Sequence, residues 1–291
     1  NVEFYAGTMG MRLVKKTVNQ DDPGVYHLFY GDEKGSAGFD LTFFEYPGAA
    51  RGRAGAGMVH QIAFRVGSQQ ALDFWNDRLR AAGIETVRGD GRVDFHDPEG
   101  LTLQLRHTET TETPLVPLTP EIPAELAVQG FDGVRAYTED AARSRDFLMA
   151  AVDFTGEGDS FTSAGNHRSS FYSCDRAPGV GTPGAGTVHH VAFASQMDDH
   201  TAWRDRVLEA GGHPTPVIDR FYFRSVYFRE PSGVLFEIAT IGPGFATDED
   251  PEHLGERLSL PPAFEHLRSR VEATLTPLPN PRAAAATRAG G

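Results

Sequence analysis

The sequence predicts an α+β fold of four βαβββ modules in two pseudo-repeated halves. Three observations carry this expectation. Segments of the first half recur in order in the second, a proline-rich stretch separates the halves, and each repeated unit passes from strand-type to helix-type patterning and back. Met58–Phe64 reads MVHQIAF and Thr187–Phe193 reads TVHHVAF, displaced by 129 positions. WNDRLRAAG from Trp75 and WRDRVLEAG from Trp203 are displaced by 128, so the chain's only two tryptophans occupy equivalent places. FHDPEGLTLQL from Phe95 matches FREPSGVLFEI from Phe228, displaced by 133, with proline and glycine kept in the turn.

In chain order, the opening NVEFYAGTMGM reads as the end of an amphipathic helix with Val2, Phe4, Tyr5 and Met9 on its apolar side, followed by the extended MRLVKKTVNQ. This is module one, and by the repeat it lacks an opening strand, which is expected before Asn1. Module two runs from the strand MVHQIAF through a helix ending at Gly83 to the strand LTLQL. The two modules make an N-terminal domain over residues 1–106. Residues 107–127 form a linker, since Pro114, Pro117, Pro120 and Pro123 forbid regular helix and interrupt any sheet ladder. Module three places the helical SRDFLMAAVDF before FTSAGNHRSSFYS, and module four repeats module two, giving a C-terminal domain over 128–245. Residues 246–291 read as an extension whose last part, 276–291, rich in Pro, Ala and Gly, is expected to be a mobile tail.

Composition narrows the function. With 27 basic and 40 acidic residues the formal charge is −13, which argues against a nucleic-acid partner or an anionic membrane surface. No apolar run approaches the roughly 18 residues of a membrane span, and no signal peptide is visible. The single cysteine, Cys174, excludes an internal disulfide or a multi-cysteine metal site. These features point to a cytoplasmic protein whose partner is a small molecule or another copy of itself.

The repeat also locates chemistry. His190 in module four corresponds to Gln61 in module two, and Glu237 to Gln104, so an imidazole and a carboxylate in one copy become two neutral amides in the other. Glu237 lies between Phe236 and Ile238, where an unpaired buried carboxylate would be costly and metal ligation would resolve the cost. Two histidines and one carboxylate form a facial triad that leaves positions on iron(II) open. Module three offers only Asp132 and Gly133 at the matching place. His189, by strand alternation, points away from His190, and its equivalent His60 survives in the copy without ligands, which favours a structural role. Arg220, Tyr222, Arg224, Tyr227 and Arg229 precede the Glu237 strand and are expected to cluster near the metal, with exposed surface positions equally suited to Arg224 and Arg229.

With HHVAF opening a module and FREPSGVLFEI closing it, the chain resembles the vicinal oxygen chelate superfamily of glyoxalases, extradiol dioxygenases and antibiotic-binding proteins. Gly10–Phe44, together with GMVHQIAF, GTVHHVAF and PGFATDED, is similar to the bacterial ring-cleaving dioxygenases that act on hydroquinones. The resemblance implies cupped sheets and a mononuclear Fe(II) site, with Mn(II) as the alternative. It implies His190 and Glu237 as ligands and a third ligand, a histidine, upstream of Asn1. Arg220 and Tyr227 are implied to face the substrate, and His189 to act as acid or base. The implied reaction is extradiol-type, O2-dependent opening of a hydroquinone or catechol ring, with a small aromatic substrate and a homo-oligomeric assembly. The alternatives are a glyoxalase-like metal-dependent isomerase or lyase and a non-catalytic protein that sequesters an aromatic ligand. His27, His96, His107, His167, His200, His213, His253 and His266 show no ligand spacing, and GVGTPGAG (179–186) reads as a flexible loop edging the site.

Overall fold

The computed structural model describes residues 1–283. A short helical segment, Glu3–Thr8, buries Phe4 and Tyr5 and leads into β1 (Arg12–Val18), β2 (Tyr26–Gly31) and β3 (Leu41–Phe44). Then follow β4 (Met58–Val66), α1 (Gln69–Ala81), β5 (Thr86–Gly89), β6 (Arg92–His96) and β7 (Thr102–His107). The same strand, helix, three-strand order is seen in β8 (Phe131–Thr138), α2 (Ala142–Val152), β9 (Thr155–Glu157), β10 (Ser160–Ala164) and β11 (Ser169–Arg176). It is seen again in β12 (Val191–Ser195), α3 (His200–Glu209), β13 (Ile218–Asp219), β14 (Arg224–Arg229) and β15 (Leu235–Thr240). A C-terminal helix, α4 (Arg268–Thr274), follows.

Helix α1 shows why these segments fold as they do. The Ser68 side chain accepts a hydrogen bond from the Ala71 N–H and caps the first turn. Leu72, Trp75 and Leu79 recur at helical spacing and are fully buried, as are Val93, Leu103 and Leu105 on alternate strand positions. Gly83, at φ +79°, ends the helix in the left-handed region that glycine enters without steric cost.

The strands form three sheets, ordered β1-β2-β3, β5-β6-β7-β4-β8-β11-β10-β9 and β12-β15-β14-β13. They do not follow the division into halves. β4 pairs antiparallel with β8, so strands on both sides of residues 107–127 share the eight-stranded sheet. The intervening segment is irregular, as its prolines require, yet it is tied down: Glu112 accepts hydrogen bonds from Arg65 and from Ser169 N and Oγ, and Trp75 Nε1 donates to the Leu126 carbonyl at 2.7 Å.

The C-terminal extension packs on β1. Lys15, wholly buried, meets Asp248 at 2.7 Å and Glu249, and the two carboxylates offset the cost of burying its ammonium. Lys15 Nζ also lies 4.5 Å from the Tyr222 ring centre, and Tyr222 Oη donates to Asp248 at 2.8 Å. Residues 276–283, expected to belong to a mobile tail, are instead tied to the rest of the fold. Tyr26 Oη donates to the Thr276 carbonyl and Arg282 pairs with Glu33 at 2.7 Å, anchoring the chain at both points; residues 284–291 lie outside the described part.

The glycine-rich loop is likewise fixed. Arg53 and Thr182 exchange two backbone hydrogen bonds of 2.8 Å, and Arg51 bridges Ala185. A Cβ on Gly55 would lie 2.1 Å from Gly181 N, so glycine lets the two loops touch backbone to backbone.

Candidate metal centre

The last two strands of the four-stranded sheet place the central residues. β14 and β15 pair antiparallel around the Glu230–Val234 turn, which sets Tyr227 directly opposite Glu237. β12 pairs parallel with β15, setting Ala192 beside Glu237 and bringing His190, just before β12, to the same end. His190 Nε2 lies 2.8 Å from Glu237 Oε2. Glu237 is only 4% exposed and its other oxygen, Oε1, is buried without a hydrogen-bond partner. Burial pushes its carboxyl pKa up, but His190, aided by Ser225 and Tyr227, outweighs this and leaves it below the ordinary value.

The alternation expected for His189 does not hold, because both histidines precede the regular strand. His189 Nδ1 and His190 Nδ1 meet at 2.9 Å, so one of them carries the shared proton. The Tyr227 ring stands edge-on to His190 with centres 5.8 Å apart. Burial, reinforced by the Glu237 charge, pushes the Tyr227 phenol up to about 12, so its O–H remains a donor at neutral pH. Arg220 holds its guanidinium carbon 6.0 Å from the Tyr227 ring centre and forms a two-pronged pair with Asp21 at 3.0 and 2.9 Å.

The five polar tips do not all converge. Tyr222 turns into the buried contact with Lys15 and Asp248, while Arg224 and Arg229 are exposed. Two residues outside the expected set join the site from the first sheet. Asp21 grips Arg220, and His27 sits between Phe29 and Phe44 with ring centres 4.0 and 4.3 Å away. Burial and the positive fields of His190 and Arg220 push His27 down to about 3, despite the opposing Glu237 charge, so it is neutral. His200 instead sits in the fold, bonded to Ser195 Oγ at 2.8 Å.

The repeat partners occupy the same registers in the eight-stranded sheet: Ala63 lies beside Gln104, and Asp94 lies opposite it. There Gln104 Nε2 and Gln61 Nε2 donate to Asp94 Oδ1 at 2.6 and 3.3 Å, and Arg92 Nε donates to Asp94 Oδ2. No orphan atom remains on these residues.

An imidazole nitrogen beside a buried carboxylate with an unpartnered oxygen fits a divalent first-row metal such as Fe(II) or Mn(II), because a cation would satisfy the buried Oε1, which has no hydrogen-bond partner. The pair amounts to two donors, and no group of three or more His, Cys, Asp or Glu placed to hold a metal occurs among the described residues. Nor does any helix among them have the length and apolarity to cross a membrane.

A mixed α+β fold of several sheets and few helices, with a histidine–carboxylate pair in one sheet and amides in its counterpart, defines the class. The chain belongs to the Glyoxalase/Bleomycin resistance protein/Dioxygenase superfamily, whose family model matches residues 1–105 and 130–238. Among its relatives is a protein of Bacillus subtilis (strain 168) named "Putative ring-cleaving dioxygenase MhqO", 39% identical over 95% of this chain and 91% of that protein. Another is the chlorohydroquinone/hydroquinone 1,2-dioxygenase of Sphingobium indicum, 31% identical over 94% of this chain and 91% of that one. A crystal structure titled a putative dioxygenase from Bacillus subtilis superposes with a TM-score of 0.87 at 38% identity, covering 96% of this chain and 92% of the other. Glyoxalase I from Zea mays shares the fold, with a TM-score of 0.59 at 16% identity over 82% of this chain and 86% of its own.

Proposed function

We propose that the protein is a non-haem Fe(II)-dependent, extradiol-type ring-cleaving dioxygenase acting on a hydroquinone-type or catechol-type ring, with Mn(II) as the alternative metal. The reading takes the chain as four βαβββ modules with one metal site, in module four. The observation that carries it is the buried His190–Glu237 pair with its unpartnered carboxylate oxygen, set against amides at the same registers of the other sheet. The names of the relatives supply the reaction class.

His190 and Glu237 are two ligands of a facial set. The bound metal would supply open positions and redox chemistry to bring dioxygen and an electron-rich ring together. In the net reaction a ring C–C bond beside a hydroxyl-bearing carbon breaks and one oxygen atom goes to each new end. The ring supplies the electrons, so no added reductant is required. The residues supply the rest. Arg220 binds the phenolic oxygen, and its fixed fork of donors suits a phenolate. Tyr227 donates a hydrogen bond from a phenol that stays protonated. His189, whose pKa is lowered by burial and by His190, is neutral and holds or passes a proton through its Nδ1 contact with His190.

The test is anaerobic iron loading followed by metal analysis and oxygen uptake on methylhydroquinone, chlorohydroquinone and catechol. One iron per chain, with one dioxygen consumed per ring opened, is the expected result. Turnover of a substrate without oxygen uptake would replace this reading with a glyoxalase-like isomerase or lyase. Stoichiometric binding of an unchanged aromatic ligand would replace it with a sequestering protein.

A further inference from the structure

We infer that Asp21, between β1 and β2, is a positioning residue that sets the Arg220 guanidinium for the phenolic oxygen of the substrate; the inference rests on the proposed function, in which Arg220 meets that oxygen. The two residues are 199 positions apart, so only the fold brings them together. Asp21 Oδ1 and Oδ2 accept from Arg220 Nη1 and Nη2 at 3.0 and 2.9 Å, and the neighbouring Gln20 Nε2 donates to the Arg220 carbonyl at 2.6 Å. Side chain and backbone of Arg220 are thus both held by one loop.

That loop is braced independently of Arg220. Asn19, buried at 7% exposure, accepts from the Asp21 N–H at 3.0 Å through its Oδ1 and donates through its Nδ2 to Tyr46 Oη at 2.9 Å. The Asp22 N–H donates to the Asn19 carbonyl, and the Val25 N–H to that of Asp22. On the other side, the turn carrying Arg220 is drawn tight. Its N–H donates to the Phe223 carbonyl at 2.9 Å, and Phe221 adopts φ +67°, a conformation that a bulky residue keeps only when its surroundings impose it.

The exposures fit positioning better than stabilisation. The Arg220 side chain is 17% exposed but that of Asp21 73%, and an ion pair with one partner this open to water adds little to folding. What it does provide is orientation. A free arginine stem samples many rotamers, whereas a carboxylate engaging both Nη atoms fixes the guanidinium plane and leaves its remaining N–H groups for another acceptor. Arg220 is held between this carboxylate and the Tyr227 ring beside Glu237, so the acceptor it awaits is an anionic or phenolic oxygen within the metal site.

The experiment compares Asp21→Ala, Asp21→Glu, Arg220→Ala and the Asp21→Ala/Arg220→Ala double variant as iron-loaded full-length proteins. It measures anaerobic methylhydroquinone binding by calorimetry, steady-state oxygen uptake and thermal midpoints. Asp21→Ala should raise Kd and KM five- to tenfold with kcat within twofold and an unchanged midpoint. Asp21→Glu should recover most of the loss, and Asp21→Ala should add nothing once Arg220 is alanine. Wild-type Kd and KM in Asp21→Ala, with a raised KM in Arg220→Ala, would overturn the positioning role and leave the proposed function intact. Additive effects in the double variant would also overturn it. If Arg220→Ala binds methylhydroquinone normally, or the wild type neither binds it nor takes up oxygen, the underlying reading fails and takes this inference with it.

Discussion

In the eight-stranded sheet, Asp94 faces Gln104 across the β6–β7 pairing and accepts hydrogen bonds from both Gln104 and Gln61. In the four-stranded sheet, Tyr227 faces Glu237 across β14–β15, and Glu237 keeps one buried oxygen with no partner. The pairing registers around Gln104 and Glu237 match and the polar accounting does not. Amide donors matched to a carboxylate close on themselves, and each charge-assisted bond is worth about 1.5–3 kcal/mol. On the proposed reading, the carboxylate beside an imidazole, with one oxygen left unpartnered, awaits a cation. On the proposed reading, a repeated scaffold keeps one copy for folding and gives the other to chemistry by exchanging side chains at matched registers.

The largest test of this contrast is Glu237→Gln, which puts the amide of the eight-stranded sheet into the proposed metal site. A neutral amide is a poor ligand, so iron retained after desalting should fall to background and oxygen uptake with it. The loss should exceed the roughly 10- to 100-fold typical of altering groups behind the ligands. A fully metallated, active Glu237→Gln protein would remove Glu237 from the ligand set. Next in size is Tyr227→Phe. It removes one donor and no ligand, so iron content should stay at wild-type level while kcat/KM drops about a hundredfold; equal turnover would show that the phenol only packs against His190. Third is Asp94→Ala, which strands two buried amides. A destabilisation of about 1–3 kcal/mol in urea is expected, with turnover per folded molecule unchanged, and a loss of activity without a loss of stability would mean that the eight-stranded sheet also takes part in chemistry.

How much of this was legible in the sequence depends on the range of each contact. The matched strands and helices, the substitution of Gln61 and Gln104 for His190 and Glu237, and the burial of Glu237 follow from local patterning and the offsets of the repeat. The opposition of Tyr227 and Glu237 was missed, its placement resting on resemblance alone, although the signal is local: residues equidistant from the Glu230–Val234 turn face each other across a hairpin. The orientation of His189 was not, because alternation applies only within a paired strand and β12 begins at Val191. Asp21 and His27 were invisible for a different reason. They reach the site through the packing of the first sheet against the last, and no spacing along the chain encodes that. The sheet order escaped for the same cause, since the β4–β8 pairing runs across the proline-rich segment that looked like a boundary.

The smallest effect separates the two equivalent histidines. His189 is only partly buried and shares a proton with His190, whereas His60 is stacked on Tyr137 at 3.8 Å and bonded to Asp175 at 2.8 Å, where Arg135 also binds. Burial lowers the His60 pKa more than Asp175 raises it, so the fold favours neutral His60, whose N–H donates to the carboxylate. A histidine with a depressed folded pKa contributes stability in full above its unfolded value of about 6.5 and loses it as the pH falls from there through the folded pKa. For Asp175, burial raises the pKa but Arg135 and His60 outweigh it, so its share is lost only at more acid pH, below about 4. Urea midpoints of wild type and His60→Gln should therefore be furthest apart above pH 7 and draw together as the pH falls below about 6.5, with both proteins falling further at more acid pH as Asp175 is protonated. A gap independent of pH would mean that His60 serves through its stacking on Tyr137 alone, and the histidine of the amide-bearing sheet would then be a packing residue with no part in its polar network.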